Sequence, residues 1–205
     1  MTICHKLLSA VASALASLVI SSTPLTAGTT VLNFDKQKDG NRFKQVDGRW
    51  IIKNSAFRLK KFDNGAQFAG LHYKNSLDRA VVKFRFRTAA DLFYVIMRFS
   101  DTEPNNSGYE LSVWWSGLGV FYVDRYDADG QILQHDCLAP YFFVENPEDW
   151  HEMSFDMNGK RFEISLDGSP ICRFVDKKHK SGIFGIGLEA NRGTFEIDQF
   201  TVITP

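Results

Sequence analysis

Three side chains in the middle of the chain are of the types that acid–base chemistry needs: Glu110, Asp124 and Arg98. Each falls in a run of alternating polar and apolar residues, at positions 92–99, 109–115 and 119–126. If these runs are neighbouring strands, the two carboxylates come within the separations that divide a general acid from a general base. Arg98 would then hold one of them ionised. Side chains alternate between the two faces of a strand. Taking Phe93, Val95, Met97, Phe99, Tyr109, Leu111, Val113, Phe121 and Val123 as core therefore places Tyr94, Trp114, Tyr122 and Tyr126 outward with the three charged groups. Flat rings pack on the C–H faces of ring-shaped polyols, while carboxylates and guanidinium groups bond their hydroxyls. The alternative is a solvated outer face on which Glu110 and Asp124 form structural salt bridges. His72, His135 and Asp136 are a second tier, because an imidazole beside a carboxylate can act as a general base near neutral pH.

Strands are the elements that must position these groups. Residues 80–87 give the clearest case, with Val82, Phe84 and Phe86 on one face and Lys83, Arg85 and Arg87 on the other. Comparable runs recur from position 50 to position 202, and nothing long enough carries helical periodicity. Between the runs lie Asp47-Gly48, Asn64-Gly65, Asp129-Gly130, Asn158-Gly159 and Asp167-Gly168, pairs suited to the positive φ of hairpin turns. Many short antiparallel strands in one domain need a closed barrel or two stacked sheets. The expected fold is all-β, a two-sheet antiparallel jelly-roll sandwich. Residues 135–149, with Pro140, Tyr141, Phe142, Phe143 and Pro147, lack strand alternation. They are expected to form a loop or short helix over a sheet edge or cleft.

At the N-terminus, Lys6 precedes an apolar run over 7–20 and then small residues to Ala27, the layout of a secretory signal peptide. Cleavage is expected near Ala27, leaving a single β-jelly-roll domain at 28–205 that is secreted or periplasmic; a retained N-terminal anchor is the alternative. The apolar run is shorter than the roughly 20 residues of a membrane-spanning helix. Acidic and basic residues number 24 each and are interspersed. That balance argues against nucleic acid and anionic membrane surfaces as partners. Cleavage leaves Cys137 and Cys172, which could form a disulfide or stay as two buried thiols. No Cys-x-x-Cys or His-x-x-x-His spacing points to zinc.

Several segments together resemble the concanavalin A-like lectin/glucanase superfamily: Asp47-Gly48-Arg49-Trp50, residues 94–98 followed by Gly108-Tyr109-Glu110-Leu111, Trp150-His151-Glu152, Leu166-Asp167-Gly168, residues 182–188 and residues 195–200. The chain is most similar to the 3-keto-disaccharide hydrolase-like domains of secreted bacterial proteins. The resemblance implies glycoside substrates, and Arg98 and Glu110 match that family's Arg-then-Glu strand pattern on a concave sheet face. It also raises a structural calcium ion, although no Asp/Asn-rich loop supports one and no cofactor is expected. Trp114-Trp115 replaces a stretch that is often polar in the family. Glu196-Ile197-Asp198 resembles the start of the Glu-x-Asp-x-x-Glu strand of laminarinase-type glycoside hydrolases, but Thr201 stands in the place of the second Glu. Phe195, Ile197 and Phe200 make that segment a closing core strand instead. The expected function is a secreted carbohydrate-acting domain that cleaves or hydrolyses (3-keto-)glycosides. A non-catalytic glycan-binding module, or a structural or partner-binding envelope domain, is the alternative.

Overall fold

The alternating runs become strands, and the strands form two stacked antiparallel sheets. In the computed structural model the described residues are 28–100, 107–115, 118–126, 132–143, 146, 148–175, 179–190 and 193–205; for 118–126 and 132–143 the backbone alone is described. In chain order the elements are β1 (Gly28–Leu32), α1 (Gln37–Gly40), β2 (Phe43–Val46), β3 (Gly48–Lys53), β4 (Ala56–Phe62), β5 (Phe68–Tyr73), β6 (Val81–Thr88), β7 (Leu92–Phe99), β8 (Gly108–Trp114), β9 (Leu118–Tyr126), β10 (Ile132–Phe143), β11 (His151–Asp156), β12 (Arg161–Leu166), β13 (Ser169–Val175), β14 (Ile183–Glu189) and β15 (Phe195–Thr204). One sheet runs β13-β12-β11-β6-β15-β4-β3, with β1 also paired to β15. The other runs β10-β9-β8-β7-β14-β5-β2. This is the all-β jelly-roll sandwich that the strand pattern predicts. Among the described residues no helix is long and apolar enough to cross a membrane.

Phenylalanine fills the space between the sheets. Phe84 stacks on Phe155 with centroids 5.8 Å apart, and Phe86 on Phe195 at 5.5 Å. From the facing sheet, Phe93, Val95, Met97, Leu111 and Val113 are fully buried against them. Each such side chain contributes about 1.5–3 kcal/mol by leaving water. The expected closing strand is in place, since Phe195, Ile197 and Phe200 of β15 are all buried.

The turns follow local chemistry. Asp167 and Gly168, with φ of 47° and 78°, make the two-residue hairpin between β12 and β13. Asn54 and Ser55 do the same between β3 and β4 without a glycine, at φ 53° and 54°. Gly48 serves closeness rather than turning. Asp47 takes the positive φ, and a β-carbon on Gly48 would lie 2.5 Å from that of Ala69 in the facing sheet.

Two expectations need correction. Most of the stretch expected as a loop or short helix is strand: β10 pairs with β9 as the last strand of its sheet. Register shifts at three places along that pairing break the alternation, which is why the segment does not read as a strand. Phe99, expected in the core, is only half-buried because the strand parity changes just before it. Cys172 is disulfide-bonded, and its strand β13 packs against β10, the strand that carries Cys137.

Candidate functional site

The outer face of the seven-stranded sheet brings most of the expected site residues into one register. Glu110 on β8 lies directly opposite Asp124 on β9, and Asp124 opposite His135 on β10. On the other side of Glu110 the same row continues through Ile96, Gly185 and His72 to Lys44 on β2. The parallel row two residues along contains Tyr122, Ser112, Tyr94, Gly187 and Gly70. Directly opposed residues of an antiparallel pair share a face, with α-carbons about 4.5–5.5 Å apart. Tyr126 pairs with Gly108, and Trp114, at the other end of β8, is 39 % exposed between Leu92 and Val120. The Ser112 hydroxyl is 3.5 Å from Glu110 Oε1. Of the second tier, His72 and His135 lie in the carboxylate row, and Asp136 falls at a register shift of β10.

A feature not singled out from the sequence sits beside these residues. Phe68 on β5 lies over β14 and meets Tyr94, with ring centroids 5.9 Å apart. Gly187 of β14 makes this possible, and Gly185 does the same for His72 and Ile96. A β-carbon on Gly187 would fall 1.9 Å from Phe68 Cζ, and one on Gly185 would fall 2.7 Å from His72 Cδ2. The outer face is therefore low along β14, and aromatic side chains from both neighbouring strands lean across it. The signal was present in the sequence: with Ala69, Leu71 and Tyr73 as core, parity puts Phe68 and His72 outward.

Arg98 is not part of this face, contrary to the expectation that it steadies a carboxylate there. Between Ile96 and Phe99 β7 carries one residue more than β14 does between Gly185 and Ile183, a β-bulge. Arg98 sits in it with φ 48°, and the extra residue turns its side chain inward, leaving it 3 % exposed. Its guanidinium donates to the carbonyls of Asp78, Met157, Gly159 and His179 and lies 4.7 Å from the centre of the Phe162 ring. These carbonyls come from three separate connections between strands, which Arg98 ties to one another.

Glu196 and Asp198, whose spacing resembles a catalytic motif, lie on the outer face of the other sheet. Glu196 is held between Arg58, at 3.3 Å, and Arg87, at 2.9 Å. Asp198 pairs with Arg85, and this hydrogen bond raises the arginine's already high pKa. Arg85 and Arg87 also lie over the Trp150 ring. Such a charge ladder suits a structural surface, and the expectation that this segment is a closing core strand fits it.

The two-sheet architecture defines the concanavalin A-like jelly-roll class. Solved structures with this fold include the carbohydrate-binding module CBM66 from Bacillus subtilis, 13 % identical over 77 % of this chain and 92 % of that one, with a TM-score of 0.57. A Bacillus subtilis protein of unknown function with a galectin-like fold is 12 % identical over 85 % of this chain and 94 % of that one, TM-score 0.67. The Bacillus licheniformis beta-glucanase is 10 % identical over 88 % and 99 %, TM-score 0.59. No protein-family model matches the sequence, and neither does any curated protein. The likeness is one of fold.

Proposed function

We propose that the outer face of the seven-stranded sheet binds a glycan, in a protein exported through the leader at residues 1–27. The observation that carries this reading is the aromatic pair Phe68 and Tyr94 beside the row in which Glu110 opposes Asp124. Rings for the apolar faces of a sugar stand next to carboxylates for its hydroxyls. Trp114, Tyr122 and Tyr126 extend the proposed surface along β8 and β9. No cofactor is required for such recognition. The disulfide at Cys172 supports export, because such bonds persist in oxidising compartments. A carbohydrate-binding module and a beta-glucanase of the same fold lend support as analogues.

A second reading, hydrolysis, is favoured by one specific observation. Direct opposition of Glu110 and Asp124 suits the roughly 5–5.5 Å between the carboxyl groups of a retaining glycosidase. In this reading one carboxyl group protonates the leaving oxygen as the other attacks the anomeric carbon and the glycosidic bond breaks; water, deprotonated by the first group, then displaces the glycosyl ester and frees the second carboxylate. A thermal-shift screen against a glycan panel that includes 3-keto-glycosides, with product analysis on every hit, tests both readings. A ligand at 100 times its Kd stabilises the fold by about 2.7 kcal/mol. Absence of any shift across the panel would overturn the glycan reading. For a consumed glycan, Glu110→Gln is expected to lower turnover by about 10²–10⁴-fold while binding persists. Equal loss of binding and turnover would remove Glu110 from acid–base chemistry and leave a binding module.

A further inference from the structure

The even balance of 24 acidic and 24 basic residues conceals a segregation along the chain. Residues 36–74 hold ten Lys and Arg against three Asp and no Glu, whereas residues 99–159 hold twelve Asp and Glu against one base, Arg125. The topology turns this segregation into distance. Residues 36–74 build α1 and β2 to β5, and β2 and β3 are the last strands of their sheets on one side of the sandwich. At the opposite end of the seven-stranded sheet from β2 lie β8, β9 and β10.

Nine of the ten cations are exposed and make no ion pair among the described residues; Arg58, held by Glu196, is the exception. Arg49 stands directly opposite Lys61, and the backbone N–H of Lys74 donates to the carbonyl of Arg42 at 2.9 Å, which makes those two residues neighbours across β2 and β5. Like charges set opposite each other on paired strands are destabilising. At the other end Glu110 opposes Asp124 in the same way, Asp136 follows on β10, and the register sets Arg125 opposite Tyr109, off that row. Six strand spacings separate β2 from β10, about 29 Å. Charges more than about 8 Å apart are screened at physiological ionic strength. One molecule therefore cannot compensate its own two ends, and a net charge near zero leaves no overall repulsion between molecules.

We propose that the β2/β3 side of one molecule docks, head to tail, against the β8–β10 end of a second copy. A second copy answers both charged ends at once, whereas an anionic polymer or lipid surface would answer the basic side alone. The contact is heterologous, so it extends into open chains or closes as a ring. Its acceptor surface includes Glu110 and Asp124, so a ligand on that face competes with the second copy. Charge and topology carry this inference, and its test uses no glycan.

Sedimentation velocity of the purified protein tests this at about 0.01 M and about 1 M salt, where the screening length is about 30 Å and about 3 Å. Species larger than a monomer are expected at low salt, dissociating at high salt. Lysines that serve only to keep edge strands from pairing with other chains would leave a monomer in both conditions. Reversing the basic side, with Arg42→Glu, Lys44→Glu, Arg49→Glu and Lys74→Glu combined, should abolish association. So should reversing the acidic end with Glu110→Lys and Asp124→Lys. Mixing the two reversed proteins should restore association, because each then offers the charge that the other's own kind lacks, and restoration also shows that both are folded. Should a reversed protein not fold, Lys44→Gln with Lys74→Gln takes its place and should weaken association about tenfold. Any of four results would overturn the proposal: a monomer at both salt concentrations, association that salt does not weaken, a folded variant that associates as the wild type does, or two folded reversed proteins that stay apart when mixed.

Discussion

The ring of Phe68 occupies the space that a side chain on Gly187 would fill, with only 1.9 Å between Phe68 Cζ and the position of a β-carbon there. The two residues belong to paired strands, β5 and β14, and the missing side chain is what lets the ring lean toward Tyr94. A glycine that would be a weakness in an ordinary strand here shapes the outer face.

Gly187→Ala should therefore drive the Phe68 ring off β14. The clashing atoms are the far end of a side chain that can swing toward solvent, so unfolding free energy should change by about 1 kcal/mol or less. Glycan affinity should fall about tenfold, in line with what one aromatic ring contributes to packing. Calorimetric titration and denaturant unfolding measured together check this, and unchanged affinity would remove Phe68 from the binding surface.

Arg98→Ala should be costly to the fold and not specifically to the site. Four carbonyls lose their donor and the Phe162 ring its cation, so a loss of about 3–5 kcal/mol is expected in urea unfolding. The fraction that stays folded should bind glycan as the wild type does. Wild-type stability combined with lost turnover would return Arg98 to the active site.

Glu196→Ala tests the segment that mimics a catalytic strand. Removing the carboxylate leaves Arg58 and Arg87 facing each other, at a cost of about 1–2 kcal/mol. Binding and any turnover should be unaffected, because the residue lies on the sheet opposite Glu110. Abolished turnover in a folded variant would place the chemistry on this face.

Cys172→Ser should destabilise the protein by about 2–4 kcal/mol. Peptide mapping of the unreduced wild-type protein should join the peptide containing Cys172 to the one containing Cys137. A link from Cys172 to any other cysteine would contradict that pairing.

Local alternation made much of the fold legible. The parity of β7 up to Met97, and of β8 throughout, follows from which residues are apolar, and Phe93, Val95, Met97, Tyr109, Leu111 and Val113 are buried as expected. With Gly119-to-Tyr126 parity added, this was enough to put Glu110 and Asp124 on one outward face of sequential strands, and the pairing of β8 with β9 then set them directly opposite. The misleading character of Glu196 and Asp198 was equally readable, since their neighbours Phe195, Ile197 and Phe200 are unmistakably core.

What alternation determines is which face of a strand each residue takes, given an unbroken strand. It cannot say where an extra residue resets the count or which distant strand lies alongside. The bulge that turns Arg98 inward depends on β7 matching β14, a partner some ninety residues later, and so shows no mark within β7 itself. Phe68 and Tyr94 likewise meet because β14 comes between their strands with Gly187 beneath the Phe68 ring. The sequence by itself determined most of the strands from β3 onward, the buried face of each unbroken one, and the shared outward face of Glu110 and Asp124; β10 and the end of β7 were not among them. Only tertiary pairing decided that the third charged residue ties the loops together and that an aromatic pair stands beside the other two.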